Sequence, residues 1–165
     1  MRRLLQNAFE GWFQLPRRFP SAVLDEIAAL VAAGERMHDG EVRVAIEARL
    51  NLSAVLSGMT ATDRAHELFS HLRVWDTERN CGVLLYVLLA EHRIEIVADR
   101  GIARRVSDAE WESLCDRIRE GFARGDWRSG LLRGVEQANA LLSMHFPDDG
   151  SRRGHGELPD EPIIL

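Results

Sequence analysis

Hydrophobic positions change their spacing several times along this chain, and each change marks an element. Leu4, Leu5, Ala8, Phe9, Trp12 and Phe13 share one side of an amphipathic helix over residues 1–14. Pro16-Arg17-Arg18-Phe19-Pro20 breaks it, because proline lacks an amide proton and restricts the residue before it. Ser21 is placed to cap a second helix, in which Val23, Leu24, Ile27, Ala28 and Val31 keep the helical period as far as Gly34. Over residues 40–50 the period drops to two. Val42, Val44 and Ile46 alternate with Arg43, Ala45 and Glu47, which predicts a strand with one buried face.

After a Ser- and Gly-containing loop, residues 62–73 return to the helical period with Ala65, Leu68, Phe69 and Leu72 inward. Gly82 to Ala90 is almost unbroken apolar sequence, the pattern of a central strand covered on both faces. Glu91-His92-Arg93 makes a polar turn into a strand from Ile94 to Ala98, so these two strands form an antiparallel hairpin. Ser107 and Glu110 have the spacing of a capping box ahead of Trp111, Leu114, Cys115, Ile118 and Phe122. Gly125 stops that helix and Asp126 caps the next, whose stripe is Trp127, Leu131, Val135, Ala138 and Leu142. From Pro147 to Gly156 the chain turns polar and glycine-rich, as a loop does.

Helices alternating with a mostly buried sheet predict an α/β fold, a three-layer α/β/α sandwich around a small mixed sheet. The expected parts are an N-terminal helix and linker over 1–20, the α/β domain over 21–147 and an extended tail over 148–165. A helix between the first two strands implies a parallel, right-handed crossover. If the third strand runs back, three segments meet at one end of the sheet. They carry Asp39, Gly40 and Glu41, then Arg79, Asn80 and Gly82, then Asp99 and Gly101. Polar side chains gathered there, with glycines that let backbone approach closely, make that end the candidate site.

Composition narrows the possibilities. The chain has 165 residues, 45% hydrophobic and 28% charged, as an ordinary globular domain does. Its net charge of -5 argues against a nucleic-acid-binding domain with a broad basic face. Every basic residue apart from the histidines is Arg. Cys81 and Cys115 have neither disulfide nor zinc spacing. The apolar run Val83 to Ala90 is far shorter than the roughly 20 residues that cross a bilayer, and Arg2-Arg3 precedes no continuous apolar region. The expectation is a cytoplasmic protein without signal peptide or transmembrane segment. Residues 1–18 carry four Arg against one Glu, a local charge of +3 beside Phe9, Trp12 and Phe13. Peripheral contact with an anionic membrane, or with a protein partner, stands as the alternative to folding back on the domain. The acidic stretch Glu157 to Glu161 offers a second partner surface, unless Pro162 to Leu165 packs an extended end onto the body.

The same three segments carry a family resemblance. Gly40-Glu41-Val42-Arg43-Val44, Asp76 through Leu84, and Ala98-Asp99-Arg100-Gly101-Ile102 resemble the TPM domain, together with Trp111, the Phe122 to Gly130 junction and the closing Glu157 to Pro162. The resemblance runs from about Ser21 to the C-terminus, with Cys81 standing where a small polar residue is expected. It implies an α/β/α sandwich, a divalent-cation site (calcium in some members) and a proposed phosphatase activity in some plant relatives. It also places the chain with the short members that lack a membrane anchor.

A shared cation would draw on Asp99, Glu41, Asn80, Asp39 and Asp126, since a hard cation takes several oxygens. The structural alternative is that Asp99 stabilises a turn over 102–105, Glu41 pairs with an Arg and Asp126 only caps a helix. Arg79 and Arg100 are candidate anion contacts, because guanidinium presents a planar fork of donors. The alternative for Arg79-Asn80 is a hairpin-end turn with Asn80 left-handed. His66 and His71 lie five apart, about 140° around a helix, so the pair does not form a zinc site. Six residues after Cys81 and Cys115 stand Val87 and Gly121 rather than Arg, and no Lys is present for a phosphate-binding loop. The leading expectation is a divalent-cation- or ligand-binding interaction module. The alternatives are a weak phosphatase using a metal-activated water and a peripheral membrane adaptor.

Overall fold

Two seven-residue strands, buried along their whole length, form the centre of the molecule. The computed structural model describes residues 2–9, 14–148, 150 and 157–165. In chain order the elements are α1 (Arg2–Phe9), α2 (Leu15–Arg18), α3 (Ser21–Glu35), β1 (Glu41–Glu47), α4 (Leu52–Leu56), α5 (Ala61–His71), β2 (Gly82–Leu88), β3 (Arg93–Ala98), α6 (Arg100–Ala103), α7 (Asp108–Ala123), α8 (Trp127–His145) and β4 (Ile163–Ile164). The sheet order is β3-β2-β1-β4. β1 runs parallel to β2 with Glu41 opposite Gly82, and β3 runs antiparallel to β2 with Val83 opposite Ala98. This is the predicted mixed sheet, with β4 added along the free edge of β1.

Alternation along the strands divides the core. Val42, Val44 and Ile46, with Val83, Leu85 and Val87, pack against Ile27, Leu114, Ile118, Leu131 and Val135 of α3, α7 and α8. Ala45, Leu84, Tyr86 and Leu88 face the other way, against Ala65 and Leu68 of α5. These are the three layers of an α/β/α sandwich. β1 differs from expectation in being buried on both faces. Its second face is covered because Glu47 lies under Arg64 and Arg43 lies under the C-terminal segment. The Arg43 guanidinium donates to the carbonyls of Pro159 and Glu161. Burial pulls the Arg43 pKa down, with Glu161 and Asp160 opposing.

Several boundaries shift for local reasons. Pro16 sits in the first turn of α2, where a missing amide costs nothing, so the expected break is a helical turn. Pro20 takes the cap position of α3 and Ser21 is its first helical residue. The expected loop after β1 contains α4, capped by the Asn51 carboxamide on the Ala54 amide. The capping box of Ser107 and Glu110 is present. The extended end is β4, joined to β1 beside Ala45 and Ile46.

The N-terminal helix docks on its own domain through a polar lock. Asn7 is fully buried: its Oδ1 accepts from the Leu50 amide at 2.8 Å and its Nδ2 donates to Glu91 Oε1 at 2.9 Å. Arg3 donates to the same Glu91 oxygen at 2.8 Å. Arg49 closes the end of α1 by donating to the Ala8 carbonyl at 2.9 Å. Trp12 and Phe13, which the sequence also placed on this helix, lie outside the described residues. Among the described residues no helix is long and apolar enough to cross a membrane.

Candidate functional site

The strand directions bring the three polar segments together. The Glu41 amide donates to the Cys81 carbonyl at 3.0 Å, the Asp99 amide to Gly82 at 2.9 Å and the Gly101 amide to Asn80 at 3.0 Å. Asn80 has a φ of 53°, the left-handed turn conformation that asparagine tolerates. Gly101 is fixed by close approach, since a Cβ there would stand 2.4 Å from the Asn80 carbonyl oxygen. A fourth segment joins them: the Asp39 amide donates to the Phe146 carbonyl at 2.9 Å, and His38 pairs with Pro147.

Asp39 is only 4% exposed. Its Oδ2 accepts from the Arg79 guanidinium, while its buried Oδ1 has no hydrogen-bond partner. Asp99 accepts from the Arg100 amide through Oδ1 at 2.6 Å and so caps α6; its buried Oδ2 has no partner. Glu41 is fully buried and accepts from the Leu158 amide at 3.2 Å. The Asn80 side chain is exposed. Arg100 is also exposed, one helical turn from Arg104.

Asp126 is not part of this group. It caps α8 by accepting from the Ser129 amide at 3.2 Å, and the Ser129 hydroxyl, then that amide, lower its pKa. Its neighbour Trp127 meets His92 at 5.4 Å between ring centroids. His92 belongs to the β2–β3 turn, at the other end of a strand about 20 Å long. The structure therefore brings Asp39, Glu41, Arg79, Asn80, Asp99 and Arg100 to one end of the sheet and leaves Asp126 at the other.

The open space at this end is a cleft of about 450 Å³ lined by Asp39, Arg79, Gly101, Arg104, Arg105, Phe146 and Pro147. Sequence reasoning missed Arg104, Arg105, Phe146 and Pro147. The available signal was the Arg104-Arg105 doublet immediately after the Gly101 turn; nothing in the sequence ties Phe146 to it. Arg105 donates to the His145 carbonyl at 3.0 Å, with its guanidinium 4.7 Å above the centre of the Phe146 ring. Behind the cleft lies fully buried His38, also missed. Its Nδ1 is 3.0 Å from the Gly40 carbonyl and its Nε2 is 3.3 Å from Asn139 Oδ1. Asn139 is held in turn by the Leu30 carbonyl at 3.0 Å.

Cys81 lies against this end as a buried donor, its Sγ 2.9 Å from the Asp39 carbonyl. Burial pushes its thiol pKa up, and burial pushes Cys115 up to about 11. Neither thiol is set up as a nucleophile.

A calcium-like ion takes about six to eight oxygen ligands. The unpartnered oxygens of Asp39 and Asp99, even with a Glu41 oxygen beside them, fall short of that number among the described residues. Asp39 is already engaged by Arg79, Asn80 stands at the surface and Asp126 is at the far end. Among the described residues no three His, Cys, Asp or Glu side chains gather to hold a metal. Among the described residues, the side chains at this end do not by themselves fit a hard cation.

Comparison with known proteins agrees with this architecture. The chain is similar to the BA42 protein of the psychrophilic bacterium Bizionia argentinensis, solved by NMR, with 27% identity and a TM-score of 0.76 over 88% of this chain and 94% of that one. It also shares its fold with the N-terminal domain of a P. gingivalis protein, at 21% identity and a TM-score of 0.59 over 84% and 82% of the two chains. No curated protein matches the sequence. The TPM domain matches residues 19–141, which take in both long strands, the hairpin and most of α8, and this chain belongs to the TPM domain family.

Proposed function

We propose that this TPM domain is a non-catalytic ligand-binding module whose site is the cleft at the Asp39–Asp99 end of the sheet. The observation that carries the reading is the Asp39–Arg79 ion pair, which ties the entrance of β1 to the loop before β2 at the edge of a 450 Å³ cleft. Small-molecule sites commonly have volumes of about 300–1,000 Å³ and a few convergent polar groups. A hydrolytic role would ask for a metal-activated water, and the donor set described above is too small for that ion. A membrane-adaptor role would ask α1 to leave its hydrogen bonds to Leu50, Glu91 and Arg49.

The test is thermal melting of the full chain with calcium, magnesium or manganese chloride, sodium phosphate or sodium succinate, at constant ionic strength. A ligand at 100 times its Kd stabilises by about 2.7 kcal/mol. At least one probe should raise the melting temperature of the wild type and not of the Asp39→Asn/Arg79→Gln double variant. A panel with no effect, or a rise that survives in the double variant, would overturn the reading.

A further inference from the structure

We propose that the cleft between α6 and the end of α8 takes a small oxyanion, carboxylate or phosphate, carried on an apolar group; this rests on the cleft being the binding site. Three of its lining residues are Arg and one is Asp, so the lining carries +2 on a chain whose net charge is -5. A positive recess in an acidic protein concentrates anions where its low-dielectric walls focus the field. The one lining carboxylate is already ion-paired through its other oxygen, since Asp39 Oδ2 accepts from Arg79. That pair is itself a carboxylate docked on a guanidinium of the cleft. The next acid along the chain, Asp148, accepts from the Gly150 amide at 2.8 Å.

The two arginines of the doublet differ usefully. Arg105 is held in place by the His145 carbonyl and the Phe146 ring, which fixes its planar fork before any ligand arrives. One of its five N–H donors is used there, leaving others for a bidentate oxyanion. Arg104 makes no side-chain hydrogen bond or ion pair among the described residues, so its donors are uncommitted. Phe146 and Pro147 complete the wall, and they give the site a face that attracts an apolar body rather than a bare ion. Both lie beyond residues 19–141 that match the TPM domain. The apolar wall is thus supplied by this chain's own C-terminal part.

The experiment is amide chemical-shift titration of the full ¹⁵N-labelled chain, at constant ionic strength, with acetate, benzoate, phenylphosphonate and calcium chloride. Benzoate or phenylphosphonate should shift the amides of Gly101, Arg104, Arg105 and Phe146 and bind at least about tenfold tighter than acetate, because only they bring an apolar surface to bury. Whichever of the two binds tighter identifies the planar or the tetrahedral oxyanion as the source. Arg104→Gln, which breaks no hydrogen bond or ion pair among the described residues, should weaken that binding about tenfold through loss of a charge-assisted bond. The amides of Asn7 and Leu50 at the other end should stay where they are.

Acetate binding as tightly as benzoate, or Arg104→Gln binding like wild type, would overturn the proposal. Shifts at these amides with calcium alone would overturn the oxyanion and leave the cleft as the site. No shift with any probe would overturn both.

Discussion

The two ends of the sheet hold their buried carboxylates in different ways. At the end where β2 turns into β3, Glu47 is almost fully used. Its Oε2 accepts from the Tyr86 hydroxyl at 2.6 Å and from Arg64 Nε at 2.9 Å, and its Oε1 accepts from Arg64 at 3.1 Å. Asn7 is matched there too, on Leu50, Glu91 and the Arg3 carbonyl. At the other end Asp39 and Asp99 each keep one buried carboxylate oxygen without a partner. Folded chains rarely leave such atoms unmatched, since each costs its lost hydration. The end around Glu47 and Asn7 reads as an anchor. The end around Asp39 and Asp99 holds groups whose placement the fold alone does not repay, which is where a site is expected.

The largest effect should come from breaking the anchor. Glu47→Ala would strand the Tyr86 hydroxyl and leave Arg64 with Glu67 alone. The hydrogen bonds to Glu47 raise the Arg64 pKa, and burial raises that of Tyr86, so neither relaxes by losing a proton in the useful range. The expected loss is about 3 kcal/mol in urea unfolding at neutral pH. A loss below about 1 kcal/mol would mean that this end does not anchor the fold.

Next in size is Asn7→Ala, which leaves the buried Leu50 amide without its acceptor. It should cost about 2 kcal/mol and speed hydrogen exchange across α1 before the rest of the chain. Uniform exchange in wild type and variant would show that the lock does not hold the helix.

The contrasting change is Asp99→Asn at the cleft end. Asparagine keeps the oxygen that caps α6 on the Arg100 amide, and it removes the charge from the oxygen that has no partner. Stability should stay within about 1 kcal/mol of wild type. A loss as large as that of Glu47→Ala would erase the difference between the ends.

How much of this was legible depended on whether an element's reason lay within its own sequence. The strands β1, β2 and β3 and the helices α3, α5, α7 and α8 announce themselves, because each buries a periodic apolar stripe. Their directions brought Asp39, Arg79, Asn80 and Asp99 to one end before any coordinates. Short elements escaped: α4 has five residues and β4 two, too few to show a period. The strand β4 exists because the edge of β1 needs a partner, a fact about β1 and not about Ile163. Asp126 went to the other end because a helix cap and a cation ligand use the same residue type. Arg104, Arg105 and Phe146 were missed since their meeting depends on how α8 ends against α6.

The smallest effect sharpens the comparison at the rim of the cleft. Glu110 caps α7 by accepting from the Ser107 amide at 2.8 Å, and its other oxygen meets His145 Nε2 at 3.0 Å. The His145 carbonyl in turn accepts from Arg105. The Ser107 backbone bond, then the His145 contact, lower the Glu110 pKa from its ordinary 4.5 to about 2. A carboxylate whose folded pKa is lowered stabilises the fold above its unfolded pKa, and that contribution disappears as pH falls through the folded one. Glu110→Gln keeps an oxygen for the cap and removes the charge. The melting-temperature gap between wild type and Glu110→Gln should therefore be level just above the ordinary carboxylate range and close between 4.5 and about 2. Salt should narrow it at neutral pH, because the group is partly open to solvent. A gap that stays constant down to the lowest pH would show that Glu110 acts through shape alone.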